Sequence, residues 1–278
     1  MSDLDSREVV ATRYFTATPK EPSYTINYLM LFLAGVLLVR EVCNIFLQTR
    51  PDCSVPLIVI LILFIWGAEG RRRKKYRYEK AYKDAEPKPI DEQIDYWFEQ
   101  SKHQILSGAP HKLGLRPDDI SLQKKPLVIV GPASSTKFNI GYDGIIRFSA
   151  YRIVVIYLSD YHLGAYTCNL DLITGKLISE QTQEFHYTDV VSVSLLTSTR
   201  PFKVVTLNGV QHQIHDSQVF SVSAASGESI KVTIGFSQGE NLFKGGTLPP
   251  TEVDFAIYAL RMILREKKAG AQQQLERH

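Results

Sequence analysis

The chain has 278 residues, of which 22% are charged, and a formal net charge of +3. This balance excludes a polyelectrolyte and a disordered acidic or basic tail, and the length admits one ordered domain beside smaller segments. Much of the positive excess lies in one short run, 71–77, so the remainder is close to neutral and no nucleic-acid partner, with its demand for phosphate-neutralising Lys and Arg, is expected.

Residues 1–23 contain acids, carry Arg7, Arg13 and Lys20, and lack an apolar core beside a small-residue cleavage site, so a cleaved signal peptide is not expected. Two apolar stretches follow, 26–39 and 55–68. The first is short for a crossing of about 20 residues. It becomes long enough if it starts at Tyr24 and ends at Arg40, whose charge can snorkel to the interface while Tyr24 and Tyr28 sit at headgroup level. The second is denser in Ile, Leu and Val and has Trp66 near its end. The pattern predicts an α-helical transmembrane hairpin over 24–70. Arg40 and Glu41 form an intramembrane polar pair within it, either snorkelling or pairing inside a homo-oligomer. Cys43 and Cys53 flank the connecting loop and could form a disulfide if that side is oxidising; Cys168 reads as a small core residue.

The hairpin is followed by Arg71, Arg72, Arg73, Lys74, Lys75 and Arg77, a surface for anionic lipid headgroups that also fixes orientation. With only Arg50 in the connecting loop, both termini are expected in the cytoplasm, as in a two-pass protein of a bacterial inner membrane. The basic juxtamembrane linker, 71–90, ends in the Pro-containing spacer 86–89. A helical segment, 91–125, begins with acids suited to a helix N-terminus and carries the apolar stripe Ile94, Trp97, Phe98 and Ile105, expected to pack on the domain that follows.

From Pro126 the period becomes strand-like. Runs at 127–130, 137–148, 151–158 and 161–173 are rich in Ile, Val, Tyr and Phe. Further hairpins turn at Thr174-Gly175, at Asn208-Gly209, which suits a type I′ turn, and at Ser226-Gly227. No helical crossovers are present to join parallel strands, so 126–270 is expected to be an antiparallel β domain, a sandwich or partly open barrel. It closes with one amphipathic helix. Val253, Ala256, Ile257, Leu260 and Leu264 share a face of it, Thr251 is a natural N-cap, and Arg265, Lys267 and Lys268 lie in its last turn. The tail 271–278 is polar and expected to fray.

Antiparallel strands closed by a C-terminal helix, with the segment FHYTDVVSVSL at 185–195, resemble the pleckstrin-homology-like and GRAM-like domains of bacterial proteins over about 138–268. Tyr187, Asp189, Val190 and Val193 carry this resemblance, although the chain has more strands than the family's seven. It implies a closed or partly open barrel plugged by the helix, and a platform that binds headgroups, peptides or subunits without catalysing a reaction. On that reading Lys137, Arg147 and Arg152 are the candidate headgroup or partner contacts.

Catalytic signals are weak. The segment 131–137 has Thr136 where a phosphate loop needs its second Gly, and Phe138 where Ser or Thr should hold magnesium. His212 and His215 are three apart on a strand, which points them to opposite faces, and His162 and His186 can meet across neighbouring strands without an assignable nucleophile. No cofactor and no catalytic or metal residue is assigned. The expected function is a non-catalytic membrane-anchored scaffold or sensor whose β domain binds a protein partner or lipid surface. The alternatives are a membrane effector whose hairpin oligomerises into a pore or disrupts the bilayer on sensing a ligand and, more remotely, a membrane-bound hydrolase.

Overall fold

The computed structural model describes residues 3–46, 55–115, 125–160, 162–236, 242–249 and 252–275. These form two compact units, one of Met1–Thr16 with Lys88–His278 and one of Ala17–Pro87.

The smaller unit is an antiparallel helical pair, α2 (Thr25–Phe46) and α3 (Val55–Ala85). Their seam follows a seven-residue spacing: Asn27, Ala34 and Glu41 on α2, and Ile60 and Gly67 on α3, are buried. Gly67 allows the close approach, because a Cβ there would stand 3.0 Å from the Leu31 side chain and 3.3 Å from the Asn27 carbonyl oxygen. One polar clip closes the end of the seam. Asn27 Nδ2 donates to the Gly67 carbonyl (3.3 Å), and Lys74 Nζ donates to Asn27 Oδ1 (2.9 Å) and the Ser23 carbonyl (3.2 Å). Thr18 Oγ1 donates to Glu86 Oε1 at 2.7 Å, so the two ends of the unit meet.

The pairing of the apolar stretches was legible, but two full spans were not obtained. Among the described residues one helix, over Thr25–Cys43, is long and apolar enough to cross a membrane. In α3 the apolar part stops at Ala68 and the helix continues through the basic run to Ala85, so the expected linker is largely helix. Glu69 with Arg73 and Lys75 with Glu79 support it one turn apart, and no Gly or Pro interrupts 71–85.

The larger unit contains α1 (Asp3–Tyr14), α4 (Asp91–Lys112), α5 (Val253–Leu275) and eleven strands. These are β1 (Leu127–Pro132), β2 (Thr136–Ile140), β3 (Ile146–Phe148), β4 (Ala150–Leu158), β5 (His162–Asp171), β6 (Leu177–His186), β7 (Val190–Ser198), β8 (Phe202–Val205), β9 (Gln211–Ile214), β10 (Ser217–Ala224) and β11 (Ser229–Phe236). They make three sheets, ordered β1-β4-β5-β6, β11-β10-β7 and β3-β2-β8-β9, and no closed barrel. The chain changes sheet between β6 and β7, at the Tyr187–Asp189 turn, and Phe185, Tyr187, Val190 and Val193 point into the core there.

The first two sheets enclose one core with α5, which contributes the five residues expected of it, Val253, Ala256, Ile257, Leu260 and Leu264. A second core lies against Tyr151, Ile153, Val155, Tyr166 and Cys168 of β4 and β5, covered by Tyr14, Phe15, the α4 stripe and the third sheet. Strands β4 and β5 are therefore buried on both faces, which is why they read as continuous apolar runs and not as an alternation. Gly131 is structural here: any Cβ would overlap the Thr233 carbonyl oxygen, so its absence lets the edges β1 and β11 touch.

Several expectations need correction. The run 137–148 is two strands, since Gly144 at φ 78° turns the chain between β2 and β3. One pairing, β2 with β8, is parallel; its connection runs through the intervening strands and needs no crossover helix. At Asn208-Gly209 only the glycine has positive φ, and Gly209 N–H donates to Thr206 O, a type I turn followed by a left-handed glycine and not type I′. The C-terminal helix continues to Leu275, beyond its expected end, and Thr251 lies outside the described residues.

A chain in which a short Gly-Ser linker replaces 17–87 should be soluble and mainly β by far-UV circular dichroism, because both cores of the larger unit are retained. In it, Phe15→Ala should lower stability by about 3–5 kcal/mol in denaturant unfolding, and Leu260→Asp by several kcal/mol. An unchanged midpoint for Phe15→Ala would show that α1 is not part of the core.

Candidate functional site

Arg147, on β3, is 3% exposed. A guanidinium at that depth requires opposite charge and a full set of acceptors. The first turns of α4 supply Asp91 and Asp95, and the β2–β3 turn supplies Asp143. Arg147 Nε and Nη2 donate to the two Asp95 oxygens (2.7 and 2.6 Å), while Nη1 and Nη2 donate to those of Asp143 (2.9 and 2.8 Å). Nη1 also donates to the Ile145 carbonyl (3.3 Å), and Asp91 is 3.8 Å away. Two such bidentate, charge-assisted pairs hold the planar fork in one orientation. Hydrogen bonds from Arg147 and the Ile145 N–H hold the Asp143 carboxyl well below its usual range.

The cluster reaches α1. Tyr14 O–H donates to Asp91 Oδ1 (2.6 Å), Tyr142 N–H donates to Asp91 Oδ2 (2.7 Å), and Asn139 Nδ2 donates to the Tyr14 carbonyl (3.1 Å). Burial and the Asp91 carboxylate push the Tyr14 hydroxyl well above its ordinary range. Gly141 makes room, since a Cβ there would run into Arg147, Asp143 and Asp91. In the sequence Asp91 and Glu92 signal only a helix N-terminus, and Tyr14 and Asp143 carry no signal of a charge cluster.

Lys137, Arg147 and Arg152, the expected headgroup or partner contacts, do not line one cavity. Arg147 is saturated internally and forms part of the wall of a mainly apolar cavity of about 370 Å³ between α4 and the strands, with Ile94, Phe98, Ile146 and Tyr151. Arg152 lines a different cleft, with Arg200 and Lys231. Lys137, half-buried on β2, lines neither, and its backbone bonds to Ser149.

The basic run is part of α3 and wraps around that helix. Arg73 and Lys75 pair with Glu69 and Glu79, and Arg71 lies over the Tyr28 ring at 5.1 Å. Lys74 belongs to the hairpin clip, while Arg72 and Arg77 are exposed without an intramolecular partner among the described residues. Arg40 and Glu41 make no ion pair with each other among the described residues: Glu41 is buried in the α2–α3 seam and Arg40 faces outward. Large apolar side chains are exposed on both helices, among them Phe32 (68%), Leu61 (58%) and Trp66 (67%).

His162 stands opposite His186 in the β5–β6 register, as anticipated. Ser159 is the polar group nearest to it: Oγ lies 3.1 Å from His162 Nδ1, but donates to the His162 carbonyl (2.8 Å) and accepts from its N–H (3.1 Å), closing the β4–β5 turn. Asp160 faces Lys267 at 3.5 Å. Cys168 is buried, and burial pushes its thiol up to about 11, away from nucleophilic use. His212 is on β9 and His215 beyond it, and among the described residues no three His, Cys, Asp or Glu side chains converge as a metal site. Cys43 is exposed, and Cys53 lies outside the described residues. Comparison with protein-family models, with curated proteins and with solved structures finds no match to this chain.

Because the folded state depresses the Asp143 carboxyl below its ordinary 3.8, Asp143 stabilises the fold above that value and the contribution is lost as pH falls through the depressed one. Melts across the acid range should therefore show Asp143→Asn less stable than wild type above about pH 5, with the difference shrinking below about pH 4. Arg147→Met, which leaves Asp91 and its neighbours without their counter-charge, should cost about 3–5 kcal/mol. Equal melting of Arg147→Met and wild type at neutral pH would show that the cluster does not hold α1 and α4.

Proposed function

We propose that this is a non-catalytic, membrane-anchored scaffold or sensor: the α2–α3 pair anchors, and the larger unit serves as the docking platform for a protein partner or lipid surface. The observation that carries the anchor is the apolar outer surface of the helical pair. Soluble proteins rarely leave a contiguous apolar patch of this extent in water. Glu41 in the seam and Arg40 outside it favour anchoring over a pore lined by the two together.

The chain path supports a return crossing. Residues 3–16 and 88 onward share one core, so a segment between them that enters a bilayer must cross it an even number of times. With α2 as one crossing, α3 is the other, its basic half emerging on the side of the larger unit, where Arg72 and Arg77 meet anionic headgroups. By the positive-inside rule that side is the cytoplasm.

The platform reading draws on the connectivity. Leaving aside β2–β3 and β8–β9, the remaining strands form a four-stranded meander and a three-stranded sheet closed by α5, the order of a pleckstrin-homology-like domain with two insertions. This supports the family resemblance and a binding role.

In a background with the native cysteines replaced, Thr49→Cys should react with an impermeant thiol reagent in intact cells, and Ser226→Cys only after lysis. The reverse pattern would overturn the topology. Recovery of the protein in the soluble fraction after alkaline carbonate extraction would overturn the anchor.

A further inference from the structure

Asp91, Asp95 and Glu99 follow one another at one-turn spacing along α4, and the last two line the cavity of about 370 Å³. Its wall is mainly apolar. Phe98 comes from α4, Val130 from β1, Phe148 from β3, Tyr151 from β4 and Ile234 from β11, with the Phe98 and Tyr151 rings 4.6 Å apart. Leu248 completes the wall, and its segment is fixed by backbone bonds from Ile146 N–H to the Thr247 carbonyl (2.9 Å) and from Thr247 N–H to the Gly144 carbonyl (2.8 Å). The cavity is therefore shaped by the sheets and α4 before any ligand enters, as small-molecule sites commonly are, and its volume lies in their range.

The cations in its wall are already committed. Every N–H of Arg147 is engaged, by Asp95, by Asp143 and by the Ile145 carbonyl, so the guanidinium has no donor left for an anion. Lys102 Nζ donates to both Glu99 oxygens at 3.0 Å. The carboxylates are less fully used: Asp91, Asp95 and Asp143 share the single charge of Arg147, and the side chains of Asp95 and Glu99 are more than half exposed. Like charges one turn apart on a helix repel. A cation placed between Asp95 and Glu99 removes that cost, and an apolar body attached to it fills a space whose lining offers water few partners.

We propose that this cavity binds an organic ammonium ion, a cationic amine carried on an apolar body of about one or two rings. The ammonium sits between Asp95 and Glu99, and the rings lie among Phe98, Tyr151 and Ile234. An anion of the same shape meets the carboxylates and no free arginine donor. A neutral molecule of that shape gains the apolar wall alone, whereas the amine gains the wall, the carboxylates and the attraction of aromatic rings for positive charge. The site goes beyond the docking of a partner or lipid surface, and it stands on residues of the larger unit whether or not the α2–α3 pair spans a bilayer.

The test uses three probes that share an indole body and differ in charge: tryptamine, tryptophol and indole-3-acetate. Each is titrated calorimetrically at neutral pH into the full chain in a neutral detergent, and the heats from protein-free detergent are subtracted. Tryptamine should bind about tenfold more tightly than tryptophol, and indole-3-acetate more weakly than either. Asp95→Asn and Glu99→Gln should each weaken tryptamine about threefold or more and leave tryptophol within about twofold. Glu99→Gln keeps every bond of Arg147, so it reads the charge independently of any loss of stability in Asp95→Asn. Val130→Trp, which fills the cavity, should abolish tryptamine binding with circular dichroism unchanged, and Arg72→Gln with Arg77→Gln should leave that binding unaffected. Equal binding of the three probes, tighter binding of indole-3-acetate, absence of tryptamine binding, or tryptamine binding that Glu99→Gln leaves unchanged overturns the proposal.

Discussion

The buried guanidinium of Arg147 is the constraint on which the larger unit depends. It cannot remain at its depth without carboxylates, and those carboxylates come from elements far apart in the sequence: Asp91 and Asp95 from α4, Asp143 from the β2–β3 turn. Asp91 in turn fixes Tyr14, so the N-terminal helix is tied to the same point across 77 positions of sequence. The desolvation of such a cluster offsets much of its attraction, and its net contribution to stability is modest compared with the cost of breaking it. What it supplies is specificity of arrangement. The first residues of the chain and the long C-terminal portion are made one body, and the segment between them must leave and return.

That closure gives the strand pairs β2–β3 and β8–β9 their meaning. β2–β3 and β8–β9 pair with one another through the parallel contact of β2 with β8, and the sheet they form covers the outer face of β4 and β5. A sheet in a two-layer sandwich normally has one wet face. Here the second face is dry, and α1 and α4 complete its cover. These four strands therefore build a second core beside the one that the other seven share with α5.

How much was legible in the sequence follows from the range of the forces involved. The face of α5 was read correctly to the residue because helical periodicity is local, and Ile94 and Ile105 of α4 pack as expected for the same reason. The hairpin turns were located by their glycines, but the turn at Asn208-Gly209 was assigned the wrong type because the flanking register, which is not local, decides it. Arg147 was misread for a similar reason. A lone arginine on a strand looks solvated until the residues beside it in space are known, and its three carboxylates lie 4 to 56 positions away. The continuity of α3 through the basic run is not legible from the apolar pattern, because a run of charge marks the end of apolar surface and not the end of a helix.

The cations of this chain differ in their surroundings, and net charge conceals the differences. Arg147 and Lys74 are internal fasteners, each committed to oxygen acceptors within its own unit. Arg72 and Arg77 project from a helix whose neighbouring charges are already partly neutralised by Glu69 and Glu79. Arg152, Arg200 and Lys231 are drawn from three separate segments into one concave site without a carboxylate. Net charge therefore sums side chains that hold each unit together with others that the described residues leave without a carboxylate.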